Sequence, residues 1–413
     1  GKTYAIDSTN GSGGVQTING GTINGFNLVY HTVIMNGGII NGQGLNIQSG
    51  NFSLLGGKIS GSTYGIKNNN GEITLGSNEN EVDTTNPIVI GETYGIYTTG
   101  RFNFYDGKVY GKTEGYYGEV STTTDSYEII NGSEEVEGEN YNYSTLSKMN
   151  NFVKVGNIEF NSLQKAINSI DTEGTVTFID NGQVKGNTEV PTGKNITINL
   201  SGYKLTTTKP IINSGVLSLK DESSNPGGIV FNIDTGDAIT NKENATLNIN
   251  NISINANIAS YQSSLIENSG TTNIEKLEAT VPNSRGIYNS KGSLVINNTK
   301  LNVKYYALYI NKGTVNIKDN EFKTVDLGIY NKSGNIEIMG GSYTSTEKNA
   351  VYIYGGSTTI NDGIFTGKTY AIDSTNGSGG GIQTINGGTI NGFNLVYHTV
   401  VMNDGIINGQ GLN

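Results

Sequence analysis

A candidate acid–base pair stands in Asn232-Ile233-Asp234-Thr235-Gly236-Asp237, since two carboxylates near one another can act as general acid and base on a glycosidic bond. The same residues suit a turn, because Asp side chains hydrogen-bond their own backbone two residues on, and the turn is the reading adopted for Asp234 and Asp237. The two histidines, His31 and His398, occupy two copies of one Leu-Val-Tyr-His-Thr segment. With no second His or Cys near either, they supply neither a zinc site nor a nucleophilic triad. Gly11 to Gly14 is glycine-rich, but no Lys-Ser/Thr follows, so it reads as a corner and not a phosphate loop. The calcium-binding pattern Gly-Gly-x-Gly-x-Asp is missing. The expectation is no catalytic residue, no metal and no cofactor.

Composition narrows the partners. The net charge of −10, from 26 basic and 36 acidic residues, comes with only two arginines, Arg101 and Arg285, and no basic cluster. That argues against nucleic acid. No stretch approaches the roughly 18 apolar residues of a spanning helix, so this region is not expected to insert into a membrane. Cysteine is absent, which excludes disulfides and thiolate sites. Apolar content is 34% and charge only 15%, with abundant Ile, Val, Thr, Tyr and 59 glycines. Such a chain builds short strands and turns more readily than a thick helical core.

The chain repeats on two scales. Residues 1–46 recur as 367–413 with 43 of 46 positions identical, the changes being Val15 to Ile382, Ile34 to Val401, Gly37 to Asp404 and one added Gly381. Because the chain opens and closes inside this pattern, the expectation is a window on a longer tandem array. A solenoid tolerates drift at outward positions, so identity this high reflects recent duplication or a need for identical outer faces.

A finer beat runs inside the long one. The second residue of Ala238-Ile239, Ser264-Leu265, Gly286-Ile287, Ala307-Leu308, Gly328-Ile329, Ala350-Val351 and Ala371-Ile372 recurs at 26, 22, 21, 21, 22 and 21 residues. Each unit holds three apolar clusters, for example Gly286-Ile287-Tyr288, Leu294-Val295-Ile296 and Leu301-Asn302-Val303, separated by Gly and Asn turns. Three short strands with period-2 alternation at ~21 residues describe an all-β parallel β-helix, a β-solenoid. Two ladders follow. Asn213, Asn241, Asn268, Asn289, Asn311 and Asn331 come just after the first strand of successive coils, where stacked amides can bond along the axis. Tyr288, Tyr309, Tyr330 and Tyr352 follow the inward residue and should form an exposed aromatic column, a possible contact strip for glycans or other copies.

The coil pattern fades after residue 120. Residues 121–151 are polar and acidic and read as a linker or end-cover, with the acidic run Glu134 to Glu139 as plain solvated surface. Leu163, Ala166, Ile167 and Ile170 then lie at i, i+3, i+4 and i+7, predicting a short helix capped by Asn161 or Ser162. A helix there would cover the open end of a solenoid. Three regions result: 1–120, the last coils of one module; 121–151; and 152–413, the capping helix and coils of the next.

Residues 160–181, FNSLQKAINSIDTEGTVTFIDN, followed by 194–208, KNITINLSGYKLTTT, resemble the opening of right-handed parallel β-helix domains of the pectate-lyase-like superfamily, in particular those of large surface proteins of Gram-positive bacteria. The resemblance implies a right-handed coil. It also brings in lyases and glycosidases, but the departures are severe. No Asp-Asp pair follows Asp237, no Gly-His-Gly exists, and neither arginine has a lysine two residues on. The functional expectation is a non-enzymatic structural or adhesive module of an extracellular surface protein or filament, partnering copies of itself. The alternative is glycan binding or processing on the solenoid flank.

Overall fold

The computed structural model describes residues 4–8, 14–28, 30–78, 81–123, 127–374, 382–394 and 399–412. The chain divides into two compact units, Gly1–Asn150 and Asn151–Asn413. Both are β-solenoids with coils of about 22 residues, and the one α-helix among the described residues is Leu163–Asn168.

In the second unit each coil lays down three strands, and each strand pairs in parallel with its equivalent one coil later. On the first face Tyr288 pairs with Tyr309, Tyr309 with Tyr330 and Tyr330 with Tyr352. On the second, Leu294, Val315, Ile336 and Thr358 are in register, and on the third Leu301, Phe322, Tyr343 and Phe365. Alternation sends every second side chain inward, as in Lys300–Val303, where Leu301 and Val303 are buried and Lys300 and Asn302 exposed. Inward columns of Ile, Leu and Val make the core, each buried aliphatic side chain contributing about 1.5–3 kcal/mol. On the third face Phe322 meets Tyr343 edge-on and Tyr343 stacks on Phe365, with ring centroids 5.4 and 5.0 Å apart. The Tyr343 hydroxyl donates to Gly340 O at 2.8 Å, so its polar end is satisfied.

The second and third strands of many coils fuse into one bent strand, as in Thr271–Val281 and Thr314–Thr324. The bend falls on one column of left-handed residues, Asn251 (φ 55°), Lys276 (57°), Asn298 (47°), Asp319 (52°) and Gly340 (90°), the last followed by a second left-handed glycine, Gly341 (102°). Glycine was the expected corner residue. Here Asn and Asp, which tolerate this region, fill most of the column, and Lys276 adopts it at a cost of about 1–2 kcal/mol because coils above and below fix the bend.

The helix Leu163–Asn168 closes the start of this unit. Ser162 is its N-cap, its hydroxyl accepting from Lys165 N at 3.3 Å, while Leu163, Ala166 and Ile167 are buried. Ile170 is buried too, but it lies beyond the helix, at whose end Lys194 Nζ satisfies the carbonyls of Ile167, Asn168 and Ile170 at 3.1, 3.3 and 2.6 Å. Gln164 stands in for a missing strand: its amide donates to Glu189 O at 3.0 Å and accepts from Glu189 N at 2.7 Å. The edge of the first face's opening strand, Thr188–Val190, is thereby paired.

The first unit has the same three faces, with Tyr64–Asn68, Tyr94–Thr98 and Glu114–Tyr117 on the first, Glu72–Leu75 and Arg101–Phe104 on the second, and Lys58–Gly61, Ile88–Gly91 and Lys108–Gly111 on the third. The stretch read as a linker or end-cover forms a hairpin, Tyr127–Val136 with Glu139–Lys148, whose second strand pairs antiparallel with Lys108–Gly111. The acidic run is not plain solvated surface. Glu134 meets Lys108 at 2.7 Å, Glu137 meets Lys58 at 2.6 Å, and Glu139 and Glu92 both meet Lys112 at 2.5 Å. The backbone ladder with Lys108–Gly111 holds the hairpin on the third face and these exposed pairs add little to it, while Lys108 also lies 3.7 Å from the centroid of the Tyr143 ring.

Candidate functional site

The first face of the second unit carries the densest set of recognition groups. Tyr288, Tyr309, Tyr330 and Tyr352 lie in register on successive strands, with centroids 5.3, 4.7 and 5.5 Å apart, the last pair nearly parallel at 7°. Tyr306 joins from the next column, 5.5 Å from Tyr309 and 5.8 Å from Tyr330. The rings cover one another, so they are half-buried and not the exposed column expected. Each such pair contributes about 0.5–1.5 kcal/mol beyond area burial. Burial, followed by the neighbouring Tyr309 and Tyr352, pushes the Tyr330 phenol up to about 12.

At the lower end of the column the Arg285 guanidinium lies 5.9, 5.7 and 5.1 Å from the rings of Tyr288, Tyr306 and Tyr309. Its Nε is buried without a hydrogen-bond partner. Glu267 is in register with Tyr288. Asp237 accepts from Ser264 N at 2.6 Å, and burial raises its carboxyl above the ordinary range. That bond reaches the backbone of the next coil, 27 residues on, and not the local turn that the sequence suggested, while Asp234 is exposed. The arrangement offers ring faces, a guanidinium and a carboxyl on one strip, which suits binding.

The asparagine ladder runs just inside the same face. Asn213 donates to Asn241 at 2.8 Å, Asn241 to Asn268 at 2.9 Å and Asn268 to Asn289 at 2.7 Å, all fully buried. Asn311 is not in the ladder. Ile310 pairs with Asn289 and takes the inward position, leaving Asn311 to donate to Ser290 O at 3.2 Å. Asn331 resumes the column beyond Ile310 and binds Gly334, Ser357 and Thr358.

A second tyrosine cluster, missed in the sequence, lies on the first face of the first unit. Tyr97 and Tyr117 stack at 4.9 Å and 6°, and Tyr64 and Tyr94 flank them. The signal was present, since Tyr97 and Tyr117 each follow the inward residue of Gly95-Ile96 and Gly115-Tyr116. His31 sits at the corner before the strand Thr32–Met35, while His398 and Gly11 to Gly13 lie outside the described residues. Among the described residues no group of three or more His, Cys, Asp or Glu is placed to hold a metal ion. Comparison with protein-family models, with curated proteins and with solved structures gave no match for this chain.

Proposed function

We propose that the chain is a non-enzymatic structural and adhesive tandem-repeat module of a long extracellular bacterial surface protein or filament. The observation that carries this reading is that the duplicated segment rebuilds the same coils. Val15 pairs with Thr32 as Ile382 pairs with Thr399, and Thr22 pairs with Ile39 as Thr389 pairs with Ile406. A sequence period that is also a structural period supplies length at constant geometry. The segment 160–208, with its capping helix, supports placing the fold with right-handed β-helices of the pectate-lyase-like superfamily and the Gram-positive surface proteins that carry them. Immunogold electron microscopy of cells bearing the protein tests this reading. Rods or fibres projecting from the surface are expected, and compact isolated particles would refute it.

The strip of Arg285 and the tyrosines favours a second reading, in which the first face binds a glycan. On a glycan array, Tyr309→Ala with Tyr330→Ala is expected to abolish binding. Unchanged binding would remove the strip from consideration.

A further inference from the structure

The two copies of the duplicated segment place the same outward residues on the second face. Val15 and Thr17 pair with Thr32 and Ile34; Ile382 and Thr384 pair with Thr399 and Val401. Two of the three substitutions between the copies fall at these outward positions, and both exchange Val and Ile. Core packing does not account for that. Ile382 has a coil on either side and is still 59% exposed, and Ile34, between Thr17 and Ser53, is only half-buried. Elsewhere on this face most outward residues are polar, among them Asn248, Asn273, Asn316 and Glu337, and the outward Val216 and Val295 stand singly, each between polar neighbours. Thr would serve the strand equally well, so retained aliphatic side chains point to a contact.

The charge pattern says with what. The outward strand positions of the second face in these coils carry no charge; the second copy's patch is bounded by Glu337 before Thr359 and the first copy's by Glu72 after Asn51. Two copies of a chain with net charge −10 repel over most of their surface. This flat, uncharged, β-branched patch is where they can approach, sheet against sheet at ~10 Å. We infer that the second face of the duplicated segment is a contact between copies of this chain, one patch against its equivalent. The inference rests on the structural-module reading above. Three strands ~4.8 Å apart and four residues long cover only about 200 Å², against about 800 Å² per partner in a stable complex. A single patch is therefore weak, and its contact is transient.

Because the chain has no cysteine, single-cysteine variants of the full chain can trap the contact. Ile382→Cys is expected to form disulfide dimers about tenfold faster under mild oxidation than Asn255→Cys, an exposed, uncharged outward site on the third face. Adding Thr384→Glu should bring Ile382→Cys down to the control rate. Equal rates for Ile382→Cys and Asn255→Cys, with unchanged circular dichroism, would overturn the inference. The two failures are distinguishable: rods on the cell with control-rate cross-linking remove this contact alone, whereas compact particles remove the reading beneath it.

Discussion

Replacing Asn268 by Ala should be among the most damaging single changes in the second unit. Its side chain makes four hydrogen bonds in a fully buried column: it donates to Asn289 Oδ1 at 2.7 Å and Ser293 O at 3.1 Å, and accepts from Asn241 Nδ2 at 2.9 Å and Thr272 Oγ1 at 2.8 Å. Asn241 keeps other acceptors, including Thr271 O at 2.9 Å, but the buried Asn289 Oδ1 loses this donor and the buried Thr272 hydroxyl loses its acceptor, while Ser293 O belongs to an exposed residue. Two stranded buried groups and the lost bonds together come to about 4 kcal/mol. Asn311→Ala is the matched comparison, because that side chain makes a bond to Ser290 O at 3.2 Å outside the ladder and should cost about 1 kcal/mol or less. Coils interact mainly with their neighbours, so the loss is local and a single global midpoint is the wrong measure. Hydrogen exchange followed by mass spectrometry on peptides covering residues 264–297 is the assay. Protection should fall by two to three orders of magnitude, roughly what about 4 kcal/mol implies. If Asn268→Ala and Asn311→Ala exchange alike, the ladder does not hold the coils together.

Three further outcomes follow from geometry already described. Gln164→Ala removes the side chain that pairs with Glu189, so Thr188–Val190 should exchange faster and thioflavin-positive aggregation should rise; wild-type behaviour would deny the helix its edge-blocking role. Tyr330 ionises near 12 in the fold against 10.0 unfolded, so its stabilising contribution is complete below pH 10 and lost as pH rises through 12. Absorbance titration should show a late phenol that Tyr330→Phe removes. Asn36 and Asn403 occupy equivalent ladder sites, 2.8 Å from Asn19 and 2.7 Å from Asn386, but are followed by Gly37 and Asp404. Attack of the Gly37 nitrogen on the Asn36 side-chain carbonyl expels ammonia and gives a succinimide that water opens. Peptide mapping of aged protein should find Asn36 converted ahead of Asn403, and equal conversion would contradict this.

The coils were legible because most first strands announce themselves with a small residue before an inward Ile, Leu or Val, followed by Tyr at 288, 309, 330 and 352; Ser264-Leu265 was one residue out, because Ile266 is the partner of Ile239 and Ile287. The error at Asn311 was avoidable. In Ile287-Tyr288-Asn289 the amide is two residues from the inward Ile, whereas in Leu308-Tyr309-Ile310-Asn311 it is three away, and period-2 alternation turns it outward. The tyrosine cluster of the first unit was hidden by the insertion from Asn78 to Pro87, which stretches Ile66 to Ile96 beyond one ordinary coil. The hairpin was the hardest element to see. Its first strand is mostly polar because it covers little core, and the one local sign was the pair Glu137 and Gly138, both with positive φ as in a type I′ turn. That Glu134 to Glu139 would find lysines could not be read at all, since Lys58, Lys108 and Lys112 come from two earlier coils.

The parallel stacking has a mechanical consequence. Hydrogen bonds between coils run along the solenoid axis, so a pull on the ends of the second unit loads one coil's bonds at a time and not many together. Each coil of about 22 residues that peels away turns ~4.8 Å of axis into about 75 Å of extended chain. The second unit is thus a spool that lengthens about fifteenfold at modest force, dissipating work in small steps. In an optical trap it should yield a shallow staircase with that step length, which a single tall rupture would contradict.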